Sequence, residues 1–285
     1  MGRRRLALIA GLILVIAAPV GAVARSSKAG GPHACNVTNT SSGATYSNKS
    51  TTNPVQTAID AAASGATLEI AGRCIGNFVI QKDITLRGVA TKQNPIATLD
   101  GNNIRPLTAP GLVLWIPAIV SVTVRDLRIT GGSAEPDGGG INNSGSLTLI
   151  NSIVTANAAF SIPPGQVTRG GGIWNGGTLV LTNSTVSNNS SAGWGGGIYN
   201  SGGAVTLTDS VVSGNSGVGG GIFNLFGSVM LSGATMIQGN ASGGNGGGIL
   251  NDSGTVSTSG WTGAVSGNTP DNCEPAMTLG ASTCD

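Results

Sequence analysis

Asp137, Arg169 and Trp194 each stand directly before a Gly-Gly-Gly-Ile tetrapeptide, at Gly138–Ile141, Gly170–Ile173 and Gly195–Ile198. If those tetrapeptides stack, the three side chains line one edge roughly 5 Å apart. A carboxylate, a guanidinium and an indole in a cleft, with Glu135 as a second carboxylate, are what sugar recognition needs. The same Asp–Arg pair on an open surface is only a modest salt bridge. Trp174, Tyr199 and Phe223 share another position, directly after the repeat isoleucine. Alternation turns them outward as a three-rung aromatic row, suited to stacking on sugar rings or to covering the sheet and packing on one another.

The elements that must position these side chains are repeats. Gly-Gly-Gly-Ile recurs with its isoleucines at 141, 173, 198, 222 and 249, and an Asn follows two residues after each, at 143, 175, 200, 224 and 251. A phosphate cradle wants one glycine-rich turn between a strand and a helix. Here strands follow, no Lys-Ser/Thr pair appears, and five copies mark a structural repeat. Each copy holds three short strand segments, around Gly-Ile-x-Asn, Leu-x-Leu and Ser-x-Val-Ser. Period-2 alternation points Ile173, Leu179, Leu181 and Val186 inward. One copy cannot bury that apolar set alone, but a stack of copies can. Asn189, Asn215 and Asn240 end successive copies and are expected to ladder along the axis, amide to amide. An ice-binding face would need a regular outward threonine grid; the relevant column reads Thr148, Val180, Thr206, Met230, which excludes it.

The first half reads as shorter, less regular strands: 66–70, 77–80, 84–87, 96–99, 112–116, 119–124 and 127–130. Before them, Asn53 caps a helix with Pro54 at its first position and Gly65 to close it. Val55, Ala58, Ile59 and Ala62 give it one apolar face, fit to cover the first strand layer. Residues 25–50 are Ser/Thr/Gly/Asn-rich and read as a flexible leader.

Charged residues are only 9% of the 285, and glycine numbers 48. Arg3, Arg4 and Arg5 precede an apolar run at 6–20 and an Ala22-Val23-Ala24 cleavage site, so residues 1–24 read as a secretory signal peptide, with a retained anchor as the alternative. Its removal leaves 11 basic and 12 acidic side chains, a net of −1. No basic stripe remains for phosphates, which argues against a nucleic-acid partner. Cys35, Cys74, Cys273 and Cys284 fit disulfides in an exported chain. Of three connectivities, Cys35–Cys74 with Cys273–Cys284 is expected, because each bond would pin one frayed end. Zinc is disfavoured: there is no CxxC, and the single histidine, His33, lies in the leader.

The Gly-Gly-Gly-Ile-x-Asn copies with their Asn-Ser-x-Val-x-x-Asn tails resemble the repeats of polymorphic outer-membrane proteins. The helix at 55–63, Gly65-Ala-Thr-Leu-Glu-Ile70, Ile84-Thr-Leu-Arg-Gly88 and Thr98-Leu-Asp-Gly101 resemble the opening coils of the pectate-lyase-like superfamily. The resemblance spans roughly residues 53–272 and implies a right-handed parallel β-helix of roughly eight coils. For activity, it implies calcium-assisted lyase chemistry with an Arg or Lys base, or hydrolysis on clustered aspartates. The hydrolase motifs Asn-Thr-Asp, Asp-Asp, Gly-His-Gly and Arg-Ile-Lys are absent. Arg128, outside the inward pair Leu127 and Ile129, with Arg125 and Asp126 at the turn, is either a solvated face or a lyase-type site. The expectation is an exported, monomeric β-helix at 51–272 with a tail at 273–285, without cofactor and without catalysis. It would be structural, adhesive or in contact with a polysaccharide through Asp137, Arg169, Trp194, Trp174, Tyr199 and Phe223. The alternative is a polysaccharide lyase, for which calcium would be the cofactor.

Overall fold

A computed structural model describes residues 34–103, 111–161, 166–279 and 282–284. The expected signal peptide at 1–24 and the expected leader up to His33 lie outside the described residues. One coil shows how the chain is built. Ile173–Asn175, Thr178–Thr182 and Thr185–Ser187 are three strands with alternating burial. They pair in parallel, residue for residue, with Ile198–Ser201, Ala204–Thr208 and Val211–Ser213 of the next coil. Repetition gives a parallel β-solenoid of about seven turns. It has an isoleucine face, a long face of five-residue strands and a short face of three-residue strands. Ile173, Leu179, Leu181 and Val186 are fully buried in one continuous core, as alternation predicts. Burying each such side chain is worth about 1.5–3 kcal/mol, realised only once the neighbouring coil covers it.

The glycine triplets are the corners. Gly170 has φ +66°, in the left-handed region. A Cβ on Gly171 would sit 2.1 Å from the Ser190 carbonyl oxygen, and one on Gly172 would sit 2.6 Å from that of Gly197 and 2.9 Å from Asn189 Nδ2. The third glycine therefore packs on the very asparagine that ends its own coil. That asparagine ladder is real and longer than expected. Asn157, Asn189, Asn215 and Asn240 each donate Nδ2 to the Oδ1 of the asparagine one coil on, ending at Asn268, over 2.9–3.0 Å. The asparagines after the isoleucines make a second ladder, Asn143 to Asn175, Asn200, Asn224 and Asn251. Ser152, Ser184, Ser210 and Thr235 form a third, backbone N–H to hydroxyl.

The N-terminal reading is corrected in part. Cys35–Asn39 and Thr45–Ser47 are strands, not leader. The first pairs antiparallel with Ala66–Ile75, placing Val37 opposite Ile70. Val37 and Cys35 are buried there, so a Ser/Thr-rich stretch is ordered by two apolar anchors and a sheet edge that needs a partner. The helix spans Pro54–Ala61, with Asn53 Oδ1 accepting from Gln56 N–H, and ends at Ala62 rather than Gly65. Its buried Val55, Ala58 and Ile59 cover the first coil. Cys35–Cys74 and Cys273–Cys284 are the two disulfides, as expected. The tail continues the isoleucine face at Cys273–Glu274 and closes with an antiparallel pair, Met277–Leu279 and Ser282–Cys284. Among the described residues no helix is long and apolar enough to cross a membrane.

Candidate functional site

The register brings Asp137, Arg169 and Trp194 together on consecutive coils as parallel bridges. Arg169 NH1 donates to Asp137 Oδ2 at 3.4 Å. The guanidinium also lies over two rings, 5.7 Å from the Trp194 centroid and 5.9 Å from that of Tyr199. Trp194 stacks on Phe223 at 5.4 Å and on Tyr199 at 6.1 Å. This corrects the outward aromatic row: Tyr199 and Phe223 retain only 2% and 5% exposure. The cause is the corner strand Ser190–Trp194, which sequence alternation did not reveal and which carries Trp194 back to the row. Gly193 permits the approach, since a Cβ there would lie 2.4 Å from the Thr168 carbonyl oxygen. Burial raises the Asp137 carboxyl above the usual carboxylate range, with Arg169 opposing it, and Asp137 Oδ1 is buried without a hydrogen-bond partner. Burial likewise raises the Tyr199 hydroxyl, again against Arg169. The edge is a packed strut rather than an open groove.

The exposed part of the isoleucine face lies earlier in the stack. Trp115 pairs with Asn142, and Asn142 with Trp174. Trp115 is 42% exposed and Trp174 half-buried. The Trp174 indole lies against its own turn, where a Cβ on Gly176 would come 2.5 Å from Cη2. Two coil steps separate the tryptophans, roughly 10 Å. Trp115 has no glycine triplet before it, which is why the repeat pattern passed over it. The signal was the alternation Leu114-Trp-Ile116, whose flanking residues are buried.

No family model, curated protein or solved structure matches the chain. What the structure shows is a parallel β-solenoid of about seven turns.

A third feature lies on the short face. Arg73, Thr98 and Arg128 occupy one outward register position on successive strands, and Asp100, Thr130 and Thr155 the next position along. With Asn94, Pro95, Ile96 and Ala156 they line a cleft of about 500 Å³. Asp100 is buried and engaged on both oxygens, by Arg73 and by Asn102 N–H. Arg128 Nε is buried with no hydrogen-bond partner. Arg125 meanwhile pairs with its neighbour Asp126 at 3.4 Å, on the exposed turn. Among the described residues no group of three or more His, Cys, Asp or Glu side chains is placed to hold a metal ion. Calcium needs six to eight oxygens, several of them carboxylate, and these surfaces do not fit it.

Proposed function

We propose that this protein is an exported, non-catalytic β-helix that contacts an extracellular polysaccharide along its isoleucine face. The observation that carries the reading is the Trp115–Asn142–Trp174 row. Flat apolar ring faces at a spacing of about two strands, with an amide between them, match the faces and hydroxyls of a sugar chain laid along the solenoid axis. The bonding of the charged groups supports a binding role over acid–base chemistry: Asp137 is tied to Arg169, Asp126 to Arg125, and Glu69 to Arg87. Two disulfides fit an oxidising compartment outside the cytosol.

The test is binding to a panel of soluble and insoluble polysaccharides, with product analysis in parallel. We expect Trp115→Ala and Trp174→Ala each to weaken binding about tenfold, which corresponds to about 1.4 kcal/mol. Phe223→Leu should leave it unchanged. Release of unsaturated sugars by the wild type, abolished in Arg169→Ala, would replace this reading with the lyase one.

A further inference from the structure

Two residues on the corner between the isoleucine face and the long face serve no need of the fold. Ile119 and Phe226 both hold a left-handed backbone, at φ +67° and +55°. Among the described residues the other non-glycine positions of that kind carry only Asn, Asp, Ala or Ser. A β-branched or bulky side chain is sterically disfavoured there. Other coils fill the same corner with Gly202 and Ser253, which like Ile119 and Phe226 stand two residues before the aligned strand starts Ser121, Ala204, Ser228 and Thr255. Ile119 and Phe226 are also the two most exposed large hydrophobics among the described residues, at 100% and 69%. Backbone strain spent on placing apolar side chains in water points to a surface that is covered in use. The long face beside them is bare of charge over five strands. From Ser146 to Ser259 the side chains that alternate outward along it are Ser, Thr, Ala, Val, Ile and Met.

We propose that the long face pairs with the same face of a second copy, the solenoid axes antiparallel and a two-fold axis passing beside Val180. The register makes the fit reciprocal. Thr123, Thr148, Val180, Thr206 and Met230 form one outward column along the stack. Rotation about Val180 sets that residue against its own copy, Thr148 against the partner's Thr206, and Thr123 against the partner's Met230. Ile119 and Phe226 lie two coils before and two coils after that centre, on the same corner. Each Ile119 therefore meets the partner's Phe226, an isologous contact made twice. Charge favours this setting over a parallel one. Every Lys and Arg lies at or before Arg169, and beyond it the charged side chains are all carboxylates, at Asp209, Asp252, Asp271, Glu274 and Asp285. Antiparallel axes lay the half of each copy that holds its cations over a half that holds none, where parallel axes would set cations over cations. The seven overlapping strands, from Ile84–Val89 to Thr255–Trp261, measure roughly 34 by 17 Å per copy, about 1,100 Å² over both. That clears the roughly 1,000 Å² asked of a specific interface. The tryptophan row lies on a different face, and the pairing does not depend on it. A dimer would replace the monomer expected from the sequence.

Sedimentation equilibrium of the full-length mature protein tests the pairing and is expected to show a reversible dimer. Ile119→Gly and Phe226→Gly should each raise the dimer dissociation constant at least tenfold, since each removes both copies of the corner contact. Glycine suits the left-handed backbone at both positions. The thermal midpoint, measured where wild type and variants are all monomeric, should therefore hold or rise, which separates lost pairing from lost folding. Orientation is read with a short bismaleimide, since all four native cysteines are in disulfides. Val180→Cys, on the axis, should crosslink to its own copy, and Thr123→Cys, roughly 20 Å from its counterpart, should not. Crosslinking of Thr123→Cys to itself would show a parallel pair and overturn the proposal. So would a monomer at every concentration, or a dimer untouched by both glycine variants. A monomeric wild type that binds a polysaccharide or another protein, and loses it in Phe226→Gly, would assign the corner to that partner instead.

Discussion

Ala156 sits at φ +54°, where the equivalent corners of the other coils carry Gly131, Asn188, Gly214, Gly239 and Gly267, all at positive φ. A Cβ in the left-handed region costs roughly 1–2 kcal/mol, while glycine carries a larger unfolded-state entropy, about 0.4–1 kcal/mol. Ala156→Gly is therefore expected to raise stability by up to about 1 kcal/mol, read as a shift in the urea midpoint at constant slope. The neighbouring corner shows the same demand met by other means: Asp126, Asn151, Asn183, Asp209, Gly233 and Gly260 fill it, residue types that tolerate this conformation. Single positions of this kind were only half legible. The sequence showed that Asn, Asp and Gly cluster between strands. It did not show that Tyr199 and Phe223 would be covered, because the covering residue, Trp194, arrives from a corner strand whose path depends on Gly193 and Thr168. Nor did it show Arg73 and Arg128 in one register column with Thr98 between them, since a helical stack joins residues 55 positions apart through a register that only folding reveals.

At the scale of the element, the repeat was legible because a coil must satisfy its neighbours as well as itself. The isoleucine, the paired leucines and the valine of each copy are the core, and the strict spacing of asparagines follows from the ladders they build. Asn215 illustrates the stakes. Its Oδ1 accepts from both the backbone N–H and Nδ2 of Asn189, and its Nδ2 donates to Asn240 Oδ1 and the Val186 carbonyl. Asn215→Ala strands several buried polar groups at about 1–3 kcal/mol each, so a loss on the order of 4 kcal/mol is expected. Asn188→Gly, nearby but exposed and at positive φ, should stay within about 0.5 kcal/mol of wild type. Equal effects from the two substitutions would show that the ladder contributes little. The first member of the second ladder, Asn143, has its Oδ1 buried and unpartnered, because the residue below it is Ile116 rather than another asparagine.

For the molecule as a whole, stability is quasi-one-dimensional: each coil touches only its neighbours, so the ends open most readily. The two disulfides stand at those ends. Cys35–Cys74 fastens the antiparallel N-terminal strand to the first coil, and Cys273–Cys284 ties the closing pair of strands to the last. Reduction is expected to speed amide hydrogen exchange at 35–39 and 273–279 severalfold or more. The central strands from Ile173 to Leu225 should keep their protection. Uniform loss of protection along the stack would show instead that the disulfides hold the whole solenoid, not its ends.

The ladders also run one way. In all three, the earlier coil donates and the later coil accepts, from Asn143, Asn157 and Ser152 onward. A growing stack therefore presents donors at its C-terminal end; in the finished protein Asn272 Oδ1 meets those of Asn268 and the Gly254 carbonyl meets Asn251 Nδ2, while the N-terminal end is closed by the helix and the antiparallel strand. Polypeptides are made from the N-terminus, so each emerging segment meets a completed template whose polarity suits it. Growth in the reverse direction would begin from an orphaned acceptor such as Asn143 Oδ1. The polarity of the ladders thus matches the direction in which the chain is made, each asparagine already held by its predecessor's donors when its own await the next.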